Sequence, residues 1–294
     1  MTSLVLFAMV LAFQSSQDDR WDRLRNELLE LFAPVQGVFG VAVEDLSTGK
    51  RLLINEREMF HAASTMKTPV MIELYRQADA GKFRLDDSIA VRNEFRSIVD
   101  GSVYALNPKD DSDEDLYTRA GTKMTMRELI LRMITRSSNL ATNLLIEFVD
   151  ARSVTATMRS LGADSIQVLR GVEDQKAYDL GMNNRTTAYD LLMVYRALSE
   201  GKIAGPESRK EMLQILESQE FHSMIPALLP KGTRVAHKTG SITGVQHDSG
   251  IVYLPGGRSY VVVILSKELK DNKDGMQAIA AASKLIYDFM AEQR

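Results

Sequence analysis

Segments in which apolar residues alternate with a period of two occur at both ends of this chain, and they enclose a long middle that reads as helix and polar loop. Gly37 to Glu44 (GVFGVAVE) alternates as a strand, Ser47-Thr48-Gly49-Lys50 turns, and Arg51-Leu52-Leu53-Ile54 returns as its partner. Near the other end Arg234–Lys238, Ser249–Tyr253 and Tyr260–Leu265 have the same pattern, with Pro255-Gly256-Gly257 as the hairpin turn between the last two. Helices are predicted from Thr65 to about Ala80 and near 126–136, 138–149, 153–160, 186–199 and 207–217. Asp18–Phe32 sets Trp21, Leu24, Leu28 and Leu31 at helical spacing, and a final amphipathic helix runs from about Asp274 to Glu292. Such a chain must bring its ends together in one sheet, which predicts an α+β fold with a helical lobe and a cleft between the lobes. The expected organisation is a single domain over 17–294, with an α/β lobe near 17–63 and 220–294 and a helical lobe near 64–219.

Net charge is only −3 and its carriers are scattered, so neither nucleic acid nor an anionic membrane surface is an expected partner. The chain has no cysteine, which excludes disulfides, thiol nucleophiles and cysteine metal sites. Leu4–Phe13 (LVLFAMVLAF) is too short to span a bilayer, and polar Gln14-Ser15-Ser16-Gln17 follows it. It reads as the core of a signal peptide over 1–16, which predicts a periplasmic or secreted protein with no membrane span in the mature chain, and a monomer. The four histidines, His61, His222, His237 and His247, lack metal-ligand spacing, and no phosphate-cradling loop is present, so no metal or other cofactor is expected. His61 and His222 are expected to pack or face solvent. His237 and His247 flank a cleft strand, where ligand contact and packing are equally open. The acidic stretch Asp110–Asp115 lacks the glycine and terminal glutamate of a calcium loop and is expected to be a solvated surface loop.

Three polar signatures stand in order: Ser64-Thr65-Met66-Lys67, Ser137-Ser138-Asn139 and His237-Lys238-Thr239-Gly240. They supply a hydroxyl nucleophile, an amine to take its proton, a second hydroxyl to pass that proton on, and a cationic strand edge for an anionic substrate. Ser-x-x-Lys occurs three times, but Ser47–Lys50 lies in a turn and Ser199–Lys202 trails off a helix end. Ser64 is read as opening a helix, where an i, i+3 relation puts its hydroxyl and the Lys67 amine on one face. The competing readings are an N-cap for Ser64, a solvent-facing Lys67, and simple capping by Ser137 and Asn139. Gly240 would let a ligand approach the strand backbone closely.

With these residues the chain resembles the class A serine β-lactamases and related penicillin-binding proteins, from about residue 18 to 292. The most specific stretch is Ile134-Thr135-Arg136-Ser137-Ser138-Asn139-Leu140-Ala141-Thr142-Asn143-Leu144-Leu145. The resemblance implies a five-stranded antiparallel sheet flanked by helices plus an all-helical lobe. It also implies that Ser64 forms an acyl-enzyme, Lys67 helps deprotonate it, and Ser137 relays a proton to the departing nitrogen. Asn139 would orient the substrate amide and Lys67. Lys238 would supply positive charge, Thr239 a hydroxyl contact, and the Ser241 N–H the second oxyanion donor. Glu173, 36 residues after Ser137, would be the deacylating base, with Asp174 as the neighbour to test.

The chain departs from the family pattern in several places. Ser138 stands where aspartate is common, Asp174-Gln175-Lys176-Ala177 replaces the usual pattern after the glutamate, and Asn183-Asn184-Arg185 replaces an acidic loop end. Gln246-His247-Asp248 stands where many of these enzymes carry an arginine, and Asp248 would repel a substrate anion unless His247 or an arginine compensates. The segment around Asn93–Thr122 is longer than the pattern implies and is expected to reshape the cleft mouth. The expected activity is hydrolysis of a β-lactam, with a peptidoglycan-like small molecule as the other substrate class. The alternatives are a D-alanyl-D-alanine carboxypeptidase or esterase on the same fold, and a non-catalytic ligand-binding module.

Overall fold

Alternation at the chain ends builds one sheet. A computed structural model describes residues 19–292; the predicted signal peptide, including Leu4–Phe13, lies outside the described residues. Strands β1 (Val38–Asp45), β2 (Arg51–Ile54), β9 (Val235–Ile242), β10 (Val245–Tyr253) and β11 (Ser259–Lys267) form an antiparallel sheet in the order β2-β1-β11-β10-β9. The first strand therefore pairs with the last, from Val38 opposite Lys267 to Asp45 opposite Tyr260.

Each strand divides its side chains between two cores, as the pleat requires. Val41, Val43, Val262 and Ile264 meet Trp21, Leu24 and Leu28 of α1 (residues 19–32) and Ile279 and Ile286 of α9 (Asn272–Glu292). Ala42, Val261, Val263 and Leu265 belong to the larger core on the other face. That core is shared by α2 (Lys67–Asp79), α3 (Met126–Thr135), α4 (Asn139–Val149), α5 (Ala151–Ser160), α7 (Ala188–Glu200) and α8 (Pro206–Glu217). A one-turn helix, α6 (Gln175–Asp179), lies in the loop after Glu173.

Three short ladders tie the middle together. β3 (Phe60–His61) pairs with β8 (Arg185–Thr186), β4 (Ser88–Ala90) with β7 (Lys123–Thr125), and β5 (Phe95–Arg96) with β6 (Val103–Tyr104). Capping follows local sequence. Thr125 and Glu128 close a capping box on α3, and Thr187 accepts the Asp190 N–H at the start of α7.

Two strands are longer than their alternation predicts. β9 continues through Lys238-Thr239-Gly240-Ser241, and β10 begins before Gln246-His247-Asp248. These residues are polar yet mostly buried, because they satisfy one another: Gln246 Nε2 donates to Ser241 Oγ at 2.7 Å, and His237 Nδ1 bonds Asp248 Oδ1 at 2.9 Å.

Candidate active site

Ser64 lies on a 3-10 turn, Ala63–Met66, and α2 begins only at Lys67. The predicted helix start at Ser64 is thus corrected by one turn, and Ser64 is not an N-cap: no side-chain cap bond forms at either start. Ala63 enters the turn with φ 44°, and its N–H donates to His61 Nδ1 at 3.0 Å. The turn also lies tight against β9. A methyl group on Gly240 would sit 3.1 Å from Thr65 Cγ2 and 3.2 Å from Ser64 N. Gly240 therefore admits the nucleophile's own turn, where the sequence suggested that it admits a ligand.

Lys67 is fully buried, which excludes the solvent-facing alternative. Its Nζ donates to the Ser137 carbonyl at 2.6 Å and to Asn139 Oδ1 at 2.9 Å, and lies 3.3 Å from Ser137 Oγ. Among the described residues the Ser64 hydroxyl makes no hydrogen bond, and the Lys67 amine, expected on the same face, is held on the Ser137–Asn139 turn. Burial pulls the Lys67 pKa down to about 7. A neutral amine has two N–H bonds and one lone pair. With the two donors spent on carbonyl oxygens, the lone pair is what remains for a hydroxyl proton.

Ser137 takes a left-handed φ of 56° just before α4. Its Oγ receives a hydrogen bond from Lys238 Nζ at 3.0 Å and so stands between two buried amines. Burial and the nearby Lys67 hold the Lys238 pKa well below that of an ordinary lysine. Lys238 Nζ also donates to the Thr239 carbonyl at 2.9 Å. Further along β9, Gln246 turns its N–H and C=O toward Ser266, so its register partner Ser241 presents its own N–H to the open edge of the sheet. Ser64 and Ser241 line a cleft of about 400 Å³ with His61, Asn139, Glu173 and Tyr178.

Glu173 reaches this cleft on a loop and also has positive φ, 62°. Its Oε1 accepts a hydrogen bond from Asn139 Nδ2 at 2.6 Å, which joins it through Asn139 to Lys67. Desolvation of its inner side raises the Glu173 pKa above the ordinary carboxylate value, against the lowering effect of the Asn139 hydrogen bond. Asn143, inside the motif but given no role by the sequence, fixes the loop: Oδ1 accepts the Val172 N–H at 2.6 Å and Nδ2 donates to the Val172 carbonyl at 3.0 Å. A polar side chain on the inner face of an otherwise apolar helix was the available signal.

One open alternative is decided and three expectations are corrected. His237 and His247 do not line the cleft; both are buried. His247 Nε2 lies 2.9 Å from the His61 carbonyl, Nδ1 lies 2.8 Å from the Gln246 carbonyl and 3.1 Å from the Ser266 nitrogen, and burial lowers the ring's pKa to about 4. Asp248 is also buried and takes the N–H groups of Ile225 and Ser249 at 2.9 Å each, besides His237, so it does not present its charge to a substrate. His61, expected only to pack or face solvent, lines the cleft. The acidic stretch is not simply solvated. Asp111 Oδ2 accepts the backbone N–H groups of Asn139 and Leu140 at 2.9 Å each, and buried Asp113 pairs with Arg132 and Arg136. The unpartnered N–H groups that open any helix were the missed cue, since α4 had to find an acceptor.

The sequence pattern described as the beta-lactamase enzyme family matches residues 23–290. A beta-lactamase of Bacteroides uniformis is 24% identical over 98% of this chain and 97% of its own length. The crystal structure of a beta-lactamase from Sphaerobacter thermophilus superposes with a TM-score of 0.76 at 29% identity, covering 90% of this chain and 96% of that one. The structure of PBP-A gives a TM-score of 0.76 at 25% identity, over 91% and 96% of the two chains.

Proposed function

Because the chain belongs to the beta-lactamase enzyme family, we propose that it is a serine hydrolase that opens the β-lactam amide through an acyl-enzyme on Ser64. The observation that carries this reading is the Ser137 hydroxyl held between Lys67 Nζ, 3.3 Å away, and Lys238 Nζ, 3.0 Å away. A hydroxyl so placed can give up a proton and regain it from an amine without crossing solvent.

Neutral Lys67 takes the Ser64 proton as Oγ adds to the lactam carbonyl, whose developing oxyanion meets the N–H groups of Ser64 and Ser241. The ring C–N bond breaks, the nitrogen takes the Ser137 proton, and Lys67 returns a proton to Ser137. In the second half, water adds to the acyl carbonyl as Glu173 accepts its proton. The carbonyl–Oγ bond then breaks, and the proton held by Glu173 passes to Ser64 Oγ, which restores both the hydroxyl and the carboxylate.

Purified protein should turn over a chromogenic cephalosporin in a spectrophotometric assay, and Ser64→Ala should abolish both turnover and the acyl adduct read by mass spectrometry. Unchanged turnover in that variant defeats the assignment. The D-alanyl-D-alanine peptidase or esterase reading is favoured by one observation: the stretch Gln246-His247-Asp248 supplies no arginine, and its Gln246 is committed to Ser241, so the end of β9 offers a substrate anion hydroxyls instead of an arginine. Stoichiometric labelling without sustained turnover, together with cleavage of a peptide or ester, selects it.

A further inference from the structure

The added length before Ser137 includes a hairpin, and this hairpin grips the loop that carries Glu173. Asp174, the residue after Glu173, is buried and directs both carboxylate oxygens to the turn between β5 and β6. Ser97 Oγ donates to Oδ1 at 2.9 Å, and the Ile98 N–H donates to Oδ2 at 2.9 Å. Oδ1 also caps α6 through the Ala177 N–H at 3.2 Å. Two residues further on, Lys176 Nζ donates to Asp100 Oδ2 at 2.8 Å and Ser102 Oγ at 2.7 Å. On the other side of Glu173, the Tyr104 hydroxyl reaches the Val172 carbonyl at 3.4 Å. One hairpin thus holds the chain before and after a glutamate whose φ is 62°.

A non-glycine residue stays in that conformation only while its surroundings enforce it. The contacts that hold Ser64, Lys67 and Ser137 come instead from β9, α2 and the start of α4. We propose that the 95–104 hairpin clamps Glu173 in its water-activating position, with Ser97 as a positioning residue acting through Asp174. This rests on the β-lactamase reading above and assigns the hairpin chiefly to the second half of the reaction, because the link from Glu173 to Lys67 runs through Asn139, whose backbone Asp111 holds independently. It also makes Asp174 part of the clamp and not a second candidate base.

Burst kinetics with a chromogenic cephalosporin, read beside intact mass, separate the two halves. Ser97→Ala acylates within about twofold of the native rate, as a substitution outside the reacting groups should. It releases the acyl group about tenfold more slowly or worse, because a small displacement of a positioned base is costly. Acyl mass then accumulates, and amide hydrogen exchange quickens in residues 171–179. Asp100→Ala breaks the exposed pair with Lys176 without touching the core, and slows release selectively to a smaller degree. Release at the native rate in Ser97→Ala, or equal loss of both halves, overturns the clamp while native turnover leaves the lactamase reading intact. A native chain that never gains acyl mass overturns that reading and the clamp with it.

Discussion

A lysine with no exposed surface sets the acid–base behaviour of this molecule. Lys67 lies among a carbonyl, an amide oxygen and a hydroxyl, with no carboxylate among its hydrogen-bond partners, so burial outweighs the nearby charges of Asp111 and Glu173 and its pKa falls to about 7. Because the base form is the unprotonated one, acylation should rise with pH through about 7 and level off above it. Glu173 must be ionised to accept a proton, and its pKa is raised, so on acidification deacylation should fail at a higher pH than an unperturbed glutamate would set. Pre-steady-state rates measured across pH separate the two limbs. Acylation independent of pH between 6 and 8 removes Lys67 as the base. Ser64, Lys67, Ser137 and Lys238 were legible in the sequence because short spacing and residue type announce them. Asp111 was not, because its part, to receive the Asn139 and Leu140 N–H groups, exists only once distant backbone arrives beside it.

At the scale of elements, three of the six non-glycine residues with positive φ among the described residues, Ala63, Ser137 and Glu173, belong to the three segments that meet at the cleft. Strain of this kind persists where packing over-determines the backbone, and the Glu173 loop shows how tightly. A methyl group on Gly171 would stand 2.2 Å from Asn143 Oδ1, which is itself held by the Val172 N–H. Gly171→Ala should therefore displace the loop, slow deacylation by about tenfold to a hundredfold and cost about 1–3 kcal/mol of stability. Burst kinetics and denaturant unfolding read the two effects, and native values for both would show that the loop yields freely. The helices were legible from apolar periodicity, and their bounds fall close to those predicted. The 3-10 turn at Ser64 was not, because the left-handed Ala63 that creates it carries no residue-type signal; nor were the polar halves of β9 and β10, whose side chains satisfy one another inside the sheet.

For the whole molecule, the sheet keeps its chemistry and its ballast on opposite faces. Trp21 of α1 meets Phe289 of α9 edge to face at 4.9 Å, on the face remote from Ser64, and is 5% exposed. Trp21→Ala should lower unfolding free energy by about 3 kcal/mol, the low end for such a truncation, because the buried indole N–H has no partner to lose. Urea unfolding measures this. Activity of the folded fraction should be unchanged, and a large fall in kcat would show that the two faces are coupled. The joining of the chain ends was visible in the sequence, since uninterrupted alternation at both termini has no other way to be covered. The strand order was not, because register is settled by pairing partners hundreds of residues apart.

That pairing governs how the protein can be made. β11 is the penultimate element, yet it occupies the middle of the sheet between β1 and β10. A ribosome that stalls before residue 259 releases a polypeptide whose earliest strand has a bare edge, and whose nucleophile is already synthesised but inactive. Hydrolysis should therefore wait until residue 267 has been made, and chains cut before β11 should aggregate through the uncovered edge of β1.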